Sequence, residues 1–290
     1  MTTTTAPPSG AGGSTRAAGA AAARRARKPL SRFLLRWAVF IACVVVWQVA
    51  ATAADNPFFP PLSEILTKLR DLWFSGPPAH LWLSAGAFAD LLPSLGRMLL
   101  GLAISAVIGI VCGLALGRSR RVYDYLDPLM QFFRAIPPPT LIAVFNVIFK
   151  IGTQMEIATI VFGTVWPILV NTTDGARAVD PLHLETARVF RLSRVRTLFM
   201  VIIPDAMPKM FAGLRLSLSL SLILMVFSEL VGADNGIGYQ MTNAQTSFDM
   251  ATLWAVIVML GILGYVLNVL LLVVERILLG WHRASSRAGE

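Results

Sequence analysis

Charge is scarce in this chain of 290 residues. Asp, Glu, Lys and Arg together make up 14% of it, whereas a soluble domain carries about 25%. That shortage excludes a water-soluble globule. Acidic residues are the rarer sign, 16 against 25 basic ones, which leaves a net charge of +9. Cysteine is almost absent. Cys43 and Cys112 both lie inside apolar runs, and a disulfide framework needs exposed, closely spaced cysteines. His80, His183 and His282 are scattered without ligand spacing, which argues against a zinc site or any other metal centre. No GxxxxGK[ST] loop occurs, so the chain lacks that means of cradling ATP phosphates. No catalytic residue is assigned. His183 and Glu185 are close in sequence, but no third group accompanies them.

What is present is apolar sequence, 56% of the chain. The length suits five to seven membrane crossings of about 20 residues each. The pattern predicts an all-α membrane protein with about six transmembrane helices. The spans fall near 33–54, 93–116, 130–151, 155–171, 211–231 and 251–274, inside a membrane domain covering 31–282. Residues 1–30 read as a disordered basic tail and 283–290 as a second tail. The run Phe33–Ala54 is longer than a signal-peptide core of about 7–15 residues, so it reads as a retained span. Leu62, Ile65, Leu66, Leu69 and Trp73 share one helical face, as in a short helix on a membrane surface, with Trp73 and Trp82 at the interface. Ser105, Gly109, Gly113 and Gly117 recur every fourth position, a face for close helix packing. Pro137-Pro138-Pro139 precedes the third run and Trp166-Pro167 interrupts the fourth. Both fit a full crossing or a re-entrant hairpin, and such broken helices line a cavity or a protein interface.

The basic residues set the orientation. With the N-terminus inside, 21 of the 25 Lys and Arg lie on the inner side. Lys68, Arg70, Arg97 and Lys150 remain outside. That bias predicts an N-in, C-in layout. The charge is spread over every inner segment, which argues against a nucleic-acid partner.

The inner loop between spans four and five, 172–210, has helix signals. Asp180 can cap, Pro181 suits the first helical position, and basic residues follow. A helix from about 181 to 191 puts Leu184, Ala187 and Arg188 along one side, with Arg191 one turn beyond. Periodicity alone favours simple anchoring by positive charge. Spacing adds more. Glu185-Thr186-Ala187 is followed after three residues by Arg191, after nine more by Val201, and after one more by Ile203-Pro204. This resembles the EAA loop of permease subunits in bacterial ABC importers, whose pattern is E-A-A, three residues, G, nine residues, I, one residue, L-P. Thr186 stands for an Ala and Arg191 for the Gly. Gly there would provide a tight turn or a close backbone approach. Further stretches are similar to the nitrate/sulfonate/taurine branch, including Asp127-Pro-Leu-Met-Gln-Phe-Phe-Arg134, Gly213-Leu-Arg-Leu-Ser217, Ser228-Glu229 and Gly236-Ile-Gly238-Tyr.

The resemblance implies a homodimeric permease of the bacterial inner membrane. It implies a cytoplasmic ATP-binding subunit in two copies, which holds ATP and Mg, and an extracytoplasmic substrate-binding protein. It makes Leu184, Glu185, Thr186, Ala187, Arg188, Arg191 and Pro204 the ATPase-coupling residues, and it implies a small anionic solute. This chain would then bind no cofactor itself. Ionisable and polar groups in spans are functional candidates. Asn146, Asn171, Ser217, Ser221 and Glu229 are the candidates for the translocation pathway, although serines spaced by four also suit helix packing. The alternatives are a channel-like protein or a membrane-embedded enzyme without ATPase coupling.

Overall fold

The structure is a computed structural model and describes residues 37–280. The expected tails, and residues 33–36 of the first span, lie outside the described residues. Every element among the described residues is helical or a turn. The chain divides into two compact units between Glu64 and Ile65.

In the first unit, α1 (Trp37–Ala54) is long and apolar enough to cross a bilayer. The segment after it folds back through side-chain bonds. Trp47 Nε1 donates to the Pro60 carbonyl at 3.3 Å. Gln48 donates to Ser63 Oγ and accepts from the Ser63 amide, both at 3.1 Å.

The second unit is a bundle. Helix α2 (Leu62–Trp73) enters it from Ile65 onward. Its predicted apolar face is real but turned inward. Ile65, Leu69 and Trp73 join a core with Met98, Ile160, Met225 and Met259. Trp73 is 1% exposed, so it is a core residue and not an interfacial one, whereas Trp82 is exposed. The long helices are α3 (Leu92–Arg118), α6 (Thr153–Arg177), α9 (Ile203–Glu229) and α11 (Met250–Leu278). A π turn at Ala87–Leu91 leads into α3. Helix α8 (Arg194–Thr197) and a π turn at Leu198–Ile202 lead into α9.

Helix α6 sits between α3 and α9, and small residues make both contacts close. A Cβ on Gly113 would lie 2.7 Å from Thr172 Cβ and 2.8 Å from the Leu169 carbonyl. One on Gly213 would lie 2.8 Å from the Pro167 carbonyl. The stripe Ser105–Gly109–Gly113–Gly117 therefore meets α6, where helices without a hydrophobic drive associate through close packing. Contacts run Gly101–Ile160, Gly109–Ile168 and Gly117–Ala176, so α3 and α6 are parallel. Gly213 meets Ile168 while the later Leu224 meets Gly163, so α9 is antiparallel to α6.

Parallel α3 and α6 require the chain between them to return to the starting end. It does so as a broken pair, α4 (Arg120–Ala135) and α5 (Ile142–Phe149), bent by 80°. The third span, read at 130–151 as either a full crossing or a re-entrant hairpin, is this broken pair and begins earlier. The helix starts at Arg120 and stops before the three prolines, whose rings push Ile136 and Pro137 into extended conformations. Counting this pair as one span, the described residues hold six. The expected loop 172–210 is also shorter than read. Helix α6 continues to Arg177, and helix resumes at Arg194. Polar composition made this segment look like loop, but the helical ends that project from the bundle carry it. One further element, α10 (Ile237–Thr246), lies in what read as a plain loop before α11.

Candidate functional site

Three places in the second unit bring polar chemistry together. The first is at the end where α3 and α6 finish and α9 begins. Here α7 (Pro181–Val189) is a short, separately capped helix. Asp180 accepts from the Leu182 amide at 2.8 Å, and Pro181 occupies the first turn. At the other end, the Leu192 amide donates to the Ala187 carbonyl and the Arg191 amide to the Arg188 carbonyl, both at 2.9 Å. These two bonds form a Schellman stop, which places a left-handed residue just past the helix. That residue is Arg191, at φ 53°. The turn that glycine would make easily is therefore made by arginine, at a cost of about 1–2 kcal/mol.

Leu184 packs on Leu114, Ala176, Val179 and Ile202, which come from α3, α6, the α6–α7 link and the turn before α9. Ala187 is 4% exposed. His183 Nδ1 and Asp205 Oδ2 lie 2.6 Å apart, tying α7 to the start of α9. The hydrogen bond from Asp205, and then its charge, hold His183 above its ordinary value of 6.5. Thr186 donates back to the Leu182 carbonyl at 2.8 Å. Pro204 stands in the first turn of α9. The outward face is different. Leu182, Val189 and Phe190 are exposed apolar side chains. Glu185 and Arg188 are exposed beside them. A cavity of about 560 Å³ opens alongside, lined by Thr186, Phe190, Met200 and Asp205 among others. An exposed apolar patch rimmed by charge marks an interaction surface.

The second place is a groove of about 530 Å³ between the α4–α5 break, α6 and α9. Arg134, Pro138, Trp166, Asn171, Leu220 and Ile223 contribute to its walls. Of the five pathway candidates, only Asn171 lines it; its amide donates to the Pro167 carbonyl at 2.8 Å. Ser217 is buried and donates to the Thr164 carbonyl of α6, and Ser221 is buried and donates to the Leu218 carbonyl of its own helix. Asn146 is half-buried on α5, away from this lining.

Glu229 belongs to the third place, at the opposite end of the bundle. There Arg97, part-buried on α3, forms ion pairs with Glu229 and with Glu156 of α6, each at 2.9 Å. Arg97 also donates to the Asn235 side chain and, at 3.4 Å, to its carbonyl. Ser94 donates to Glu229 at 2.7 Å. The first amides of α10 are satisfied from other elements. Gly236 donates to Asp90, Ile237 to Ser94 and Gly238 to Glu229, each at 2.9 Å. Glu156, Asp90 and Asn235 are absent from the expected site residues. Glu156 had a signal, since it is a lone acid at the head of an apolar run. Asp90 and Asn235 had none, because loop polarity is ordinary. No group of metal-ligating side chains that could hold an ion occurs among the described residues.

Comparison with known proteins agrees with this architecture. The family described as binding-protein-dependent transport system inner membrane component matches residues 105–280. The bicarbonate transport system permease protein CmpB of Synechococcus elongatus is 30% identical over 83% of this chain and 88% of its own length. The taurine transport system permease protein TauC of Escherichia coli is 30% identical over 88% and 93%. The nitrate import permease protein NrtB of a Synechocystis strain is 30% identical over 84% and 90%. Among solved structures, the inward-facing MetNI methionine ABC transporter has a chain similar in fold. Its TM-score is 0.54 at 20% identity, over 68% of this chain and 99% of that one. With a domain match across most of the bundle and full-length relatives of the same kind, the chain belongs to the binding-protein-dependent transport system inner membrane components, the multi-pass permease subunits of ABC transporters.

Proposed function

We propose that this chain is the permease of an ATP-driven importer of small anions, working as a pair of copies. An extracytoplasmic binding protein delivers the solute at the α10 end. A separate ATP-binding subunit, one per permease copy, engages α7 on the cytoplasmic side and binds ATP and Mg²⁺ itself. The inner-side bias of Lys and Arg supports this orientation. The relatives named for bicarbonate, taurine and nitrate support a small solute with an anionic group.

One observation carries the reading. Helix α7 is capped at both ends and rests, through Leu184, on the ends of α3 and α6 and the turn that leads into α9, with Ala187 buried beside it. Its outer face holds Leu182, Val189 and Phe190 with the exposed Glu185 and Arg188. A short rigid body set across three spans acts as a lever. A groove that grips Phe190 and pairs with Arg188 and Arg191 moves all three helix ends together. Thr186, through its bond to the Leu182 carbonyl, and Pro204, in the first turn of α9, keep the lever's geometry. Movement of α6 and α9 then opens or closes the groove that contains Asn171. The polar groups on these spans, Asn146, Ser217, Ser221 and Glu229, act in that alternation as packing or pathway groups.

The test is ATP-dependent uptake in proteoliposomes containing the permease, its ATPase and its binding protein. Arg188→Glu or Glu185→Ala should leave the permease folded but reduce ATPase co-purification and uptake. Unchanged assembly and uptake in both variants would remove the coupling role from α7. Wild-type transport without ATP would favour a channel instead.

A further inference from the structure

The buried charges at the α10 end are not needed to build a bundle. Buried ion pairs contribute little net stability, because desolvation offsets attraction. Yet four elements meet on one guanidinium. Arg97 of α3 touches Glu156 of α6, Glu229 of α9 and Asn235 in the segment leading into α10. The start of α10 is held in the same way. Its first amides are satisfied by Asp90, Ser94 and Glu229, none of which belongs to α10. Gln240, one turn later, donates to Asp90 at 2.6 Å. Glycine allows the approach. A Cβ on Gly236 would lie 2.6 Å from the Glu229 carboxyl carbon, and one on Gly238 2.6 Å from Glu229 Cβ. Helix α10 is thus seated by directional bonds on the start of α3 and the end of α9, with α6 joined to them through Arg97. Its far end carries exposed Asn243, Gln245 and Thr246, then Phe248, 74% exposed at φ 57°.

We propose that Arg97 is a positioning residue for coupled transport. It fastens the cap formed by α10 to α3, α6 and α9 at one point, so that a load on the exposed end of α10 reaches all three spans together. Two carboxylates on one cation make this joint movable. If Asn235 shifts with the cap, Glu156 and Glu229 still neutralise Arg97, and no buried cation is stranded. The load comes from the docked binding protein, so the inference rests on the importer reading above. Asn235 is the part of the joint that belongs to the cap side, and the two glutamates are the part that belongs to the spans.

The experiment uses the permease–ATPase complex in lipid nanodiscs, with and without solute-loaded binding protein. It measures the ratio of stimulated to basal ATP hydrolysis, together with the melting temperature. Asn235→Ala removes the side-chain bond from the cap and leaves both buried ion pairs in place. Arg97→Lys keeps the charge but cannot span the glutamates and Asn235 at once. Both variants should assemble and hydrolyse ATP at the basal rate. Stimulation should fall at least about fivefold, the low end of coupling between distinct sites. A purely structural role predicts a lower melting temperature with the ratio intact. Stimulation retained within twofold in Asn235→Ala would overturn the proposal, whether or not Arg97→Lys assembles. A wild-type complex that the binding protein does not stimulate would overturn the importer reading, and this inference with it.

Discussion

Replacing Arg97 by Met removes the only basic side chain from a cluster that holds Glu156 and Glu229. Arg97 is 10% exposed, and the two carboxylates are 2% and 0% exposed. The change leaves two acids in a dry site. Breaking a buried pair by deleting one partner costs about 3–5 kcal/mol, and total stability is commonly about 5–15 kcal/mol. The two acids do not suffer equally. Glu229 keeps bonds from Ser94 and the Gly238 amide. Glu156 Oε2 has no hydrogen-bond partner among the described residues and relies on the Arg97 charge. Most of the loss should therefore come from Glu156. Adding Glu156→Gln to Arg97→Met should recover more than half of it. Neutralising Glu229 as well should leave a deficit of about 1–2 kcal/mol, the worth of the lost bonds to Asn235. The assay is equilibrium unfolding of detergent-solubilised protein by titration with a denaturing surfactant, run on the single, double and triple variants. A loss below about 1 kcal/mol for Arg97→Met, or no recovery in the triple variant, would refute a stranded-charge penalty of this size.

Four further outcomes follow from local geometry. Arg191→Gly relieves a left-handed arginine but loosens the unfolded chain, for a net gain of about 0.5–1 kcal/mol; exchange of the Leu192 amide should slow about threefold, and faster exchange would contradict the Schellman assignment. Gly113→Leu forces a side chain into Thr172 and the Leu169 carbonyl, so thermal unfolding should show a loss of about 1–3 kcal/mol or more. Gly261→Ala meets nothing within 4 Å and should be neutral or stabilising in the same scan. His183 is raised above 6.5 by Asp205, so its folded value exceeds its unfolded one. The tie from α7 to α9 is then fully present below about 6.5 and fades as pH rises through the folded value. Its side chain is 55% exposed, which keeps the effect within about 1 kcal/mol. An NMR titration should place the His183 midpoint above 6.5 and, in Asp205→Asn, closer to 6.5; equal midpoints would exclude the pairing.

Much of this protein is determined by sequence read in one dimension. Scarce charge and long apolar runs require helices in a bilayer, because hydrocarbon cannot satisfy an open backbone. The prolines at 137–139 mark the break between α4 and α5. Asp180-Pro181 announces the start of α7, and the spacing from Glu185 to Pro204 resembles the loop of the family to which the chain belongs. Small residues every fourth position announce a close contact on α3. All of these are local signals, set by the chemistry of a few neighbouring residues.

The tertiary structure decided what those signals touch. Gly113 could have faced any helix; parallel packing of α3 on α6 gives it Thr172. Ser217 and Ser221 share a stripe in sequence, but Ser217 bonds to α6 and Ser221 to its own helix, and the groove is left to Asn171 and its neighbours. Helix α10 was hidden because its residues are polar and its stability comes from acceptors more than a hundred positions away, in Asp90 and Ser94. Arg97 and Glu229 are 132 residues apart, and Glu156 stands between them in sequence. No periodicity connects such positions. Their pairing exists because three spans bring their ends together in a site too dry to hold any one of these charges alone.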